Sequence, residues 1–320
     1  MNQTISPAPG QLSASNFSKI FNSAITTMTS LANPLASPEQ LASLPILNPT
    51  LSQTQRSQII FTTSRLTFYA ARQLDLPVTT AAKAIILLQR YWLMEPMLRH
   101  EFADVSAAAL YITIKLNTES RSLRSLCYVY SYLSAHPSPS LPSPKTADYY
   151  VPGSKLIAFK NRILNLEGQI LAALGFDTRV TLPNQLVVLY MAVLEIFSDH
   201  YPEKAGENVA RRVVEHLHTA LLSPQLLYLT HQPITLAVSA LYLAAREKGV
   251  KLPLMWWEAF DVEREELGFV VVAMQSVQPW LEKEGMDLDI RMSRRSDFKV
   301  EEEEDEEMQM ARRMDEEVQA

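Results

Sequence analysis

The sequence predicts an all-α protein made of two tandem five-helix domains, with a flexible tail at each end. Apolar residues recur at spacings of three and four through most of its 320 residues, as they do in amphipathic helices. Glycine occurs only 8 times, well below its usual share of about 7%, which favours long helices joined by proline-rich connectors. Two similar segments, ALYITIK at 109–115 and ALYLAAR at 240–246, indicate an internal duplication.

The first domain is predicted at 55–180 and contains five helices. Thr79 is predicted to cap the N-terminus of the second helix, and Gly175 is predicted to end the fifth helix. A proline-rich loop, HPSPSLPSPK at 136–145, separates the fourth helix from the fifth. The five helices are predicted at 55–74, 79–94, 103–116, 121–134 and 154–174.

The second domain is predicted at 181–285 and repeats this order of helices. In both domains the third helix is rich in small residues, with SAAALY in the first and AVSALY in the second. Because small side chains let helices approach closely, we expect each third helix to lie at the centre of its domain. Strand alternation bounded by turn pairs is not found in the sequence. The helices are predicted at 184–198, 204–222, 232–247, a short one near 254–260, and 263–283.

The N-terminal extension, residues 1–54, is predicted to be partly disordered. It is rich in Ser, Thr, Asn, Ala and Pro and carries hardly any charge. Within it, apolar residues spaced three and four apart predict one short amphipathic helix, which we expect to dock on the body of the protein or on a partner. These residues are Phe17, Ile20, Phe21, Ile25, Met28 and Leu31.

The C-terminal residues 286–320 are predicted to form a charged, acidic tail. Residues 301–320 have a net charge of −8, so the preceding 300 residues carry only +2 of the total charge of −6. Such a run is typical of a solvated tail, and an interaction segment for basic partners is the alternative.

The sequence points away from catalysis, metal binding and bound cofactors. It has one cysteine, Cys127, which rules out an internal disulfide and a cysteine zinc site. Phosphate-binding loops, nucleophile elbows and histidine metal motifs do not occur. We expect no membrane association, since a span needs about 20 apolar residues, and no direct nucleic-acid binding by the nearly neutral body.

Two charged residues stand against the apolar pattern and are the candidate binding residues. Glu167 falls within the apolar sector of the fifth helix, where an unpaired carboxylate is costly. Lys160 on the same helix could neutralise it. Lys115 ends the apolar third helix, where a cation interacts favourably with the helix dipole and extends to water. The other possibility is that Lys115 and Glu167 pair with each other and hydrogen-bond the ends of a partner's helix.

These two residues lie in segments that resemble the cyclin family. ALYITIK is similar to the cyclin helix-three lysine motif at Lys115, and NLEGQILAALGF to the helix-five glutamate motif at Glu167. LLQRYWLMEPM at 87–97 resembles the second cyclin helix, and LPLMWWEAFDV at 252–262 the fourth helix of a second box. The resemblance covers residues 55–283 and is greatest to the transcription-type K, L, T and Q groups. The predicted domains would then be two tandem cyclin boxes.

The resemblance implies a regulatory subunit that forms a heterodimer with a cyclin-dependent protein kinase. Lys115 and Glu167 would contact the regulatory helix of that kinase, and all the catalysis would belong to the partner. A role in RNA polymerase II transcription or RNA processing is implied, with a nuclear location and the cytoplasm as a further one. The sequence departs from the family where Lys115 is followed by Leu116-Asn117-Thr118 instead of Lys-x-Glu-Glu.

Two other function classes remain open from the sequence. One is a general transcription factor of the IIB type, which also uses two cyclin-like boxes but binds promoter DNA. Such a factor would have a cysteine zinc ribbon before the boxes and basic box faces, whereas this chain has one cysteine and a nearly neutral body. The other is a scaffold with cyclin-like folds and no kinase partner.

Overall fold

The computed structural model of the protein describes residues 32–117, 121–135, 151–197, 204–283 and 293–298. Across these ranges every regular element is an α-helix or a 3-10 helix, which confirms the all-α prediction. The predicted amphipathic helix at 17–31, the loop at 136–145 and the acidic residues 301–320 lie outside the described residues. The exact domain limits stay predictions.

The first half contains the five predicted helices, each within two residues of its expected ends, and one more. The additional helix, α1, begins at a capping box in which the Ser37 hydroxyl and the Gln40 side chain accept hydrogen bonds from each other's backbone N–H. The helices are α1 (Pro38–Leu47), α2 (Gln53–Gln73), α3 (Val78–Met94), α4 (Phe102–Leu116), α5 (Leu123–Ala135) and α6 (Gly153–Ala173), with a 3-10 helix at Met97–Arg99.

The second half follows the predicted order with differences at four places. A 3-10 helix at Trp256–Phe260 replaces the α-helix expected near 254–260, and a short helix at Leu227–Thr230 was not expected. The helices are α7 (Asn184–Val193), α8 (Ala205–Leu222), α9 (Leu227–Thr230), α10 (Pro233–Glu247), α11 (Arg264–Gln275) and α12 (Val277–Lys283).

Local chemistry explains two of the boundaries that were predicted wrongly. Helix α7 stops before 198 because Glu195 takes a left-handed conformation, φ 52°, and the Ile196 N–H closes the helix on the Met191 carbonyl. The expected helix 263–283 is two helices because Pro279 lacks an N–H and its ring clashes with the carbonyl four residues earlier, at Gln275. Helix α11 therefore ends at Gln275.

The small-residue helices α4 and α10 lie at the centres of the two halves, as predicted. Ala107, Ala108 and Ala109 of α4 have no exposed surface, and the same holds for Ala237 and Ala240 of α10. Helix α4 packs against α2, α3, α5 and α6, and α10 packs against α7, α8, α11 and the 3-10 helix Trp256–Phe260. The described chain is therefore built as two tandem cyclin-box-like bundles.

A buried chain of hydroxyl groups joins three helices of the first bundle. The Thr67 hydroxyl donates to the Thr63 carbonyl at 2.9 Å, so its oxygen must accept from Ser106, 2.7 Å away. Ser106 in turn accepts from the Tyr130 hydroxyl at 2.6 Å. Burial raises the pKa of Tyr130 well above its ordinary value, which keeps the phenol protonated as a donor.

The two halves meet where α3 faces the second bundle. The buried Gln89 amide donates to the Leu221 carbonyl at 3.2 Å, and the buried Arg90 guanidinium donates to the Arg179 carbonyl at 2.8 Å. Beside them, the ring of His218 on α8 lies edge-on to Phe68 on α2, with 5.7 Å between ring centres. Polar and aromatic contacts thus join the two bundles.

Replacing Ser106 by alanine should destabilise the protein, because it leaves the buried Tyr130 hydroxyl without its acceptor. We expect the free energy of unfolding to fall by about 1–3 kcal/mol, measured by urea denaturation. Ser125→Ala is the matched control, because the Ser122–Ser125 hydroxyl pair is exposed, and it should change stability by less than about 0.5 kcal/mol. Equal effects of the two substitutions would contradict the proposed contribution of the buried hydroxyl groups to stability.

Acidification should also destabilise the fold. Burial lowers the pKa of His216, His218 and His231 below that of a solvated histidine, about 6.5. Below that pH the unfolded state binds protons that the folded state does not, so the free energy of unfolding should decrease as the pH falls from about 7.5 to about 5.5. His218→Gln should reduce this slope in melts across that range. An unchanged slope would show that His218 does not contribute.

Candidate protein-binding site

The structure brings the two candidate residues together. Lys115, in the last turn of α4, forms an ion pair through its Nζ with Oε1 of Glu167, near the middle of α6. The Lys115 Nζ also lies 4.5 Å from the ring centre of Tyr111, one turn earlier on α4. Among the described residues, Glu167 therefore pairs with Lys115 on the neighbouring helix α4 and not with Lys160 on its own helix.

The position of Glu167 follows from how α6 packs on the first bundle. The buried face of α6 consists of Phe159, Ile163, Leu166 and Ile170. Leu166 extends this face on the side away from Glu167, so Glu167 lies at its edge and not at its centre. The Glu167 side chain is 13% exposed and that of Lys115 is 46% exposed, so the ion pair lies at the rim of the core and its cation faces water.

An apolar strip runs along α6 next to this ion pair. Ile157, Leu164 and Leu171 are spaced seven residues apart, so they share one side of the helix. Ile157 is 61% exposed and Leu164 is 47% exposed, while Leu171 is half-buried. Leu116, directly after Lys115, is 58% exposed. We refer to these four apolar residues with Lys115 and Glu167 as the α4–α6 edge.

The apolar part of the α4–α6 edge was not among the predicted site residues. Its signal is present in the sequence, as the heptad spacing of Ile157, Leu164 and Leu171 on a side of α6 other than the one facing the core. That spacing is ordinary for a helix that packs internally, and only the exposure of these side chains in the structure shows that the described chain leaves the strip uncovered.

The second bundle has no equivalent ion pair among its described residues. Arg246 occupies the position that matches Lys115, and its guanidinium carbon lies 6.0 Å from the ring centre of Tyr242. Its neighbour Glu247 instead pairs with Arg212 and, at 3.2 Å, with His216. If Gly168 of α6 is matched to Gly268 of α11, the residue corresponding to Glu167 is the buried Leu267. The ends of the two central helices therefore differ. Helix α4 ends in a lysine that pairs with a carboxylate, and α10 ends in an arginine beside an aromatic ring.

The described residues were also compared with the predicted absence of metal, thiol and membrane-spanning features. No group of three or more His, Cys, Asp or Glu side chains in these ranges is placed to hold a metal ion. Cys127 is fully buried, and burial raises its pKa to about 11, so its thiol is largely protonated near neutral pH. None of the described helices is both long and apolar enough to cross a lipid bilayer.

Comparison with known proteins identifies cyclins as relatives. No protein-family model matches the sequence. Cyclin-L1 of Homo sapiens is 24% identical over 231 residues, which cover 72% of this chain and 41% of that protein. The cyclin L homolog cyl-1 of Caenorhabditis elegans is 27% identical over 245 residues, covering 72% of this chain and 49% of that protein. The chain thus spans less than half the length of these curated relatives.

A solved structure shows the same fold. A chain in the crystal structure of the yeast RNA Pol II CTD kinase CTDK-1 complex superposes with a TM-score of 0.59 at 17% sequence identity, over 84% of this chain and 82% of that one. The chain is thus similar in sequence to L-type cyclins, and its two tandem bundles share their fold with a chain of the CTDK-1 complex.

Proposed function

We propose that the chain is a regulatory subunit that binds and activates a cyclin-dependent protein kinase in RNA polymerase II transcription or RNA processing. The L-type cyclin relatives support this proposal, and so does the fold shared with a chain of a Pol II CTD kinase complex. The subunit is non-catalytic, and phosphoryl transfer takes place on its partner. We further propose that it acts in the nucleus.

The observation that carries the proposal is the Lys115–Glu167 pair beside an exposed apolar strip. A half-exposed lysine has free N–H donors that can reach the backbone carbonyls at the end of a partner's helix. Glu167 holds that ammonium in place and offers a second oxygen as an acceptor for backbone N–H groups. Leu116, Ile157 and Leu164 would supply most of the affinity by losing their contact with water.

The activation mechanism we propose is positional. The kinase places its regulatory helix on the α4–α6 edge, and docking pushes that helix inward. This movement brings together a lysine and a glutamate of the kinase itself, which form the ion pair that protein kinases need for phosphoryl transfer. The rigid packing of α4 at the centre of its bundle suits this role, because a surface fixed in one position can hold a partner's helix in one position.

Truncating the ion pair should release the kinase. We expect Lys115→Ala combined with Glu167→Ala to lower the recovery of a cyclin-dependent kinase by about tenfold or more in affinity purification from the native cell, because polar anchors at an interface are each worth about 1–3 kcal/mol. Arg246→Ala is the matched control, since it removes the corresponding cation of the second bundle, and kinase recovery should be unchanged.

The double variant must be folded for this result to count. The ion pair is partly exposed and should contribute less than about 1 kcal/mol to stability, so the thermal melt should shift little. A wild-type protein that recovers no kinase, or a folded double variant that recovers it undiminished, would refute the proposed interface. Recovery of promoter DNA without a kinase would instead support a factor of the IIB type.

A charge placed in the apolar strip should have a similar effect. Leu164→Glu puts a carboxylate on a side chain that is already 47% exposed, so folding should tolerate it, but burying that charge under the kinase should abolish the complex. Val188→Glu, at a 64% exposed position of α7, is the control. Gel filtration with the purified kinase measures both. Equal binding by the two variants would show that the strip is not at the interface.

A further inference from the structure

A second exposed apolar face lies on α11, away from the α4–α6 edge. Phe269 is 63% exposed and Val272 is 65% exposed, and one helical turn separates them. Gly268 beside them is exposed, and a Cβ added there would meet no described atom within 4 Å apart from its two chain neighbours and the backbone of its own helix. The face is therefore open and has a flat region next to the Phe269 ring. Neither the predicted nor the proposed kinase-binding residues lie on α11.

The described chain begins next to this face. Asn33 is 5% exposed, and its backbone N–H donates to the Gln232 side chain at 3.0 Å while its carbonyl accepts from the same amide at 3.1 Å. The Asn33 side chain exchanges two further hydrogen bonds with the backbone of Thr181, at 2.8 and 2.7 Å. Two hydrogen bonds to Gln232 and two to Thr181 thus hold the chain at Asn33.

Gln232 adjoins the apolar face through its neighbour in sequence. The ring of His231 lies on the ring of Phe269, with 5.6 Å between centres and 30° between planes. Two residues span at most about 7 Å, so Leu31 must lie within that distance of Asn33. The C-terminal end of the preceding segment is therefore tethered through Asn33 to Gln232, the sequence neighbour of the His231 that contacts Phe269.

The preceding segment has the chemistry that this face requires. Its apolar residues Phe17, Phe21, Ile25, Met28 and Leu31 follow the helical period, and Lys19 is the only Lys, Arg, Asp or Glu among residues 1–31. As a helix, residues 17–31 would be about 22 Å long, close to the roughly 18 Å of α11. The length, polarity and point of entry of the segment all suit this surface.

We propose that residues 17–31 form an amphipathic helix that docks on Phe269 and Val272 of α11 in the same chain. The helix would cover the apolar face of the second bundle and extend the anchorage that begins at Asn33. This proposal concerns a different surface from the α4–α6 edge and does not depend on the kinase.

Hydrogen–deuterium exchange of the purified full-length chain tests the docking. A free helix of about 15 residues is marginal in water, so slow exchange of the amides at 17–31 reports packing against the body. We expect protection that is unchanged on tenfold dilution of the protein. Phe269→Ser combined with Val272→Ser should raise exchange at 17–31 by about tenfold or more. The amides of the central helix α10 should keep their protection and so show that the variant is folded.

Leu254→Ser is the matched control, because it removes a 91% exposed apolar side chain of the second bundle away from α11, and exchange at 17–31 should not change. Three results would overturn the proposal. These are exchange at 17–31 at the rate of an unfolded peptide, protection that survives the α11 double substitution, and protection that disappears on dilution. The last would assign the contact to a second copy of the chain.

Discussion

The close approach of four helices to one central helix is the constraint on which the structure depends. Helix α4 can touch α2, α3, α5 and α6 only because Ala107, Ala108 and Ala109 add almost no bulk to its surface. A larger side chain at any of these positions would push a neighbouring helix outward or force strained rotamers. Because α10 obeys the same constraint, the two bundles have the same plan although few of their residues match.

The end of a central helix must reach the surface of its bundle, and Lys115 lies at that end of α4. The last turn of α4 emerges beside α6, where the helix dipole favours a cation and where Glu167 lies at the edge of the buried face. The ion pair is therefore a consequence of how the bundle is built. A partly exposed ion pair adds little to folding stability. Its hydrogen-bonding groups can therefore also contact the kinase helix proposed above.

The helical period made most of the fold predictable, and the misses share a physical cause. Periodicity reports which face of a segment is buried, and it located the five helices of the first half within two residues of their ends. It does not report where backbone geometry ends a helix, as at the left-handed Glu195 or at Gln275 before Pro279. Helix α1 was missed because it has no buried residue, although the Ser37 capping box was present in the sequence. Lys115 and Glu167 were identified as charges that stand against the apolar pattern, and the resemblance implied their role. The apolar strip beside them required the exposure of its side chains in the structure.

The two halves share one plan but differ in the side chains that they expose. In the first bundle α6 offers a carboxylate to the end of the central helix, whereas in the second bundle, with Gly268 matched to Gly168, the corresponding residue is the buried Leu267. Among the described residues Arg246 lies near the ring of Tyr242 and forms no ion pair, so this edge lacks the polar pair that Lys115 and Glu167 form in the first bundle. The outward side of α11 is instead apolar, with Phe269 and Val272 in the open. An apolar face provides affinity without fixing direction, which suits the proposed docking of residues 17–31, because their covalent link to Asn33 limits where they can bind.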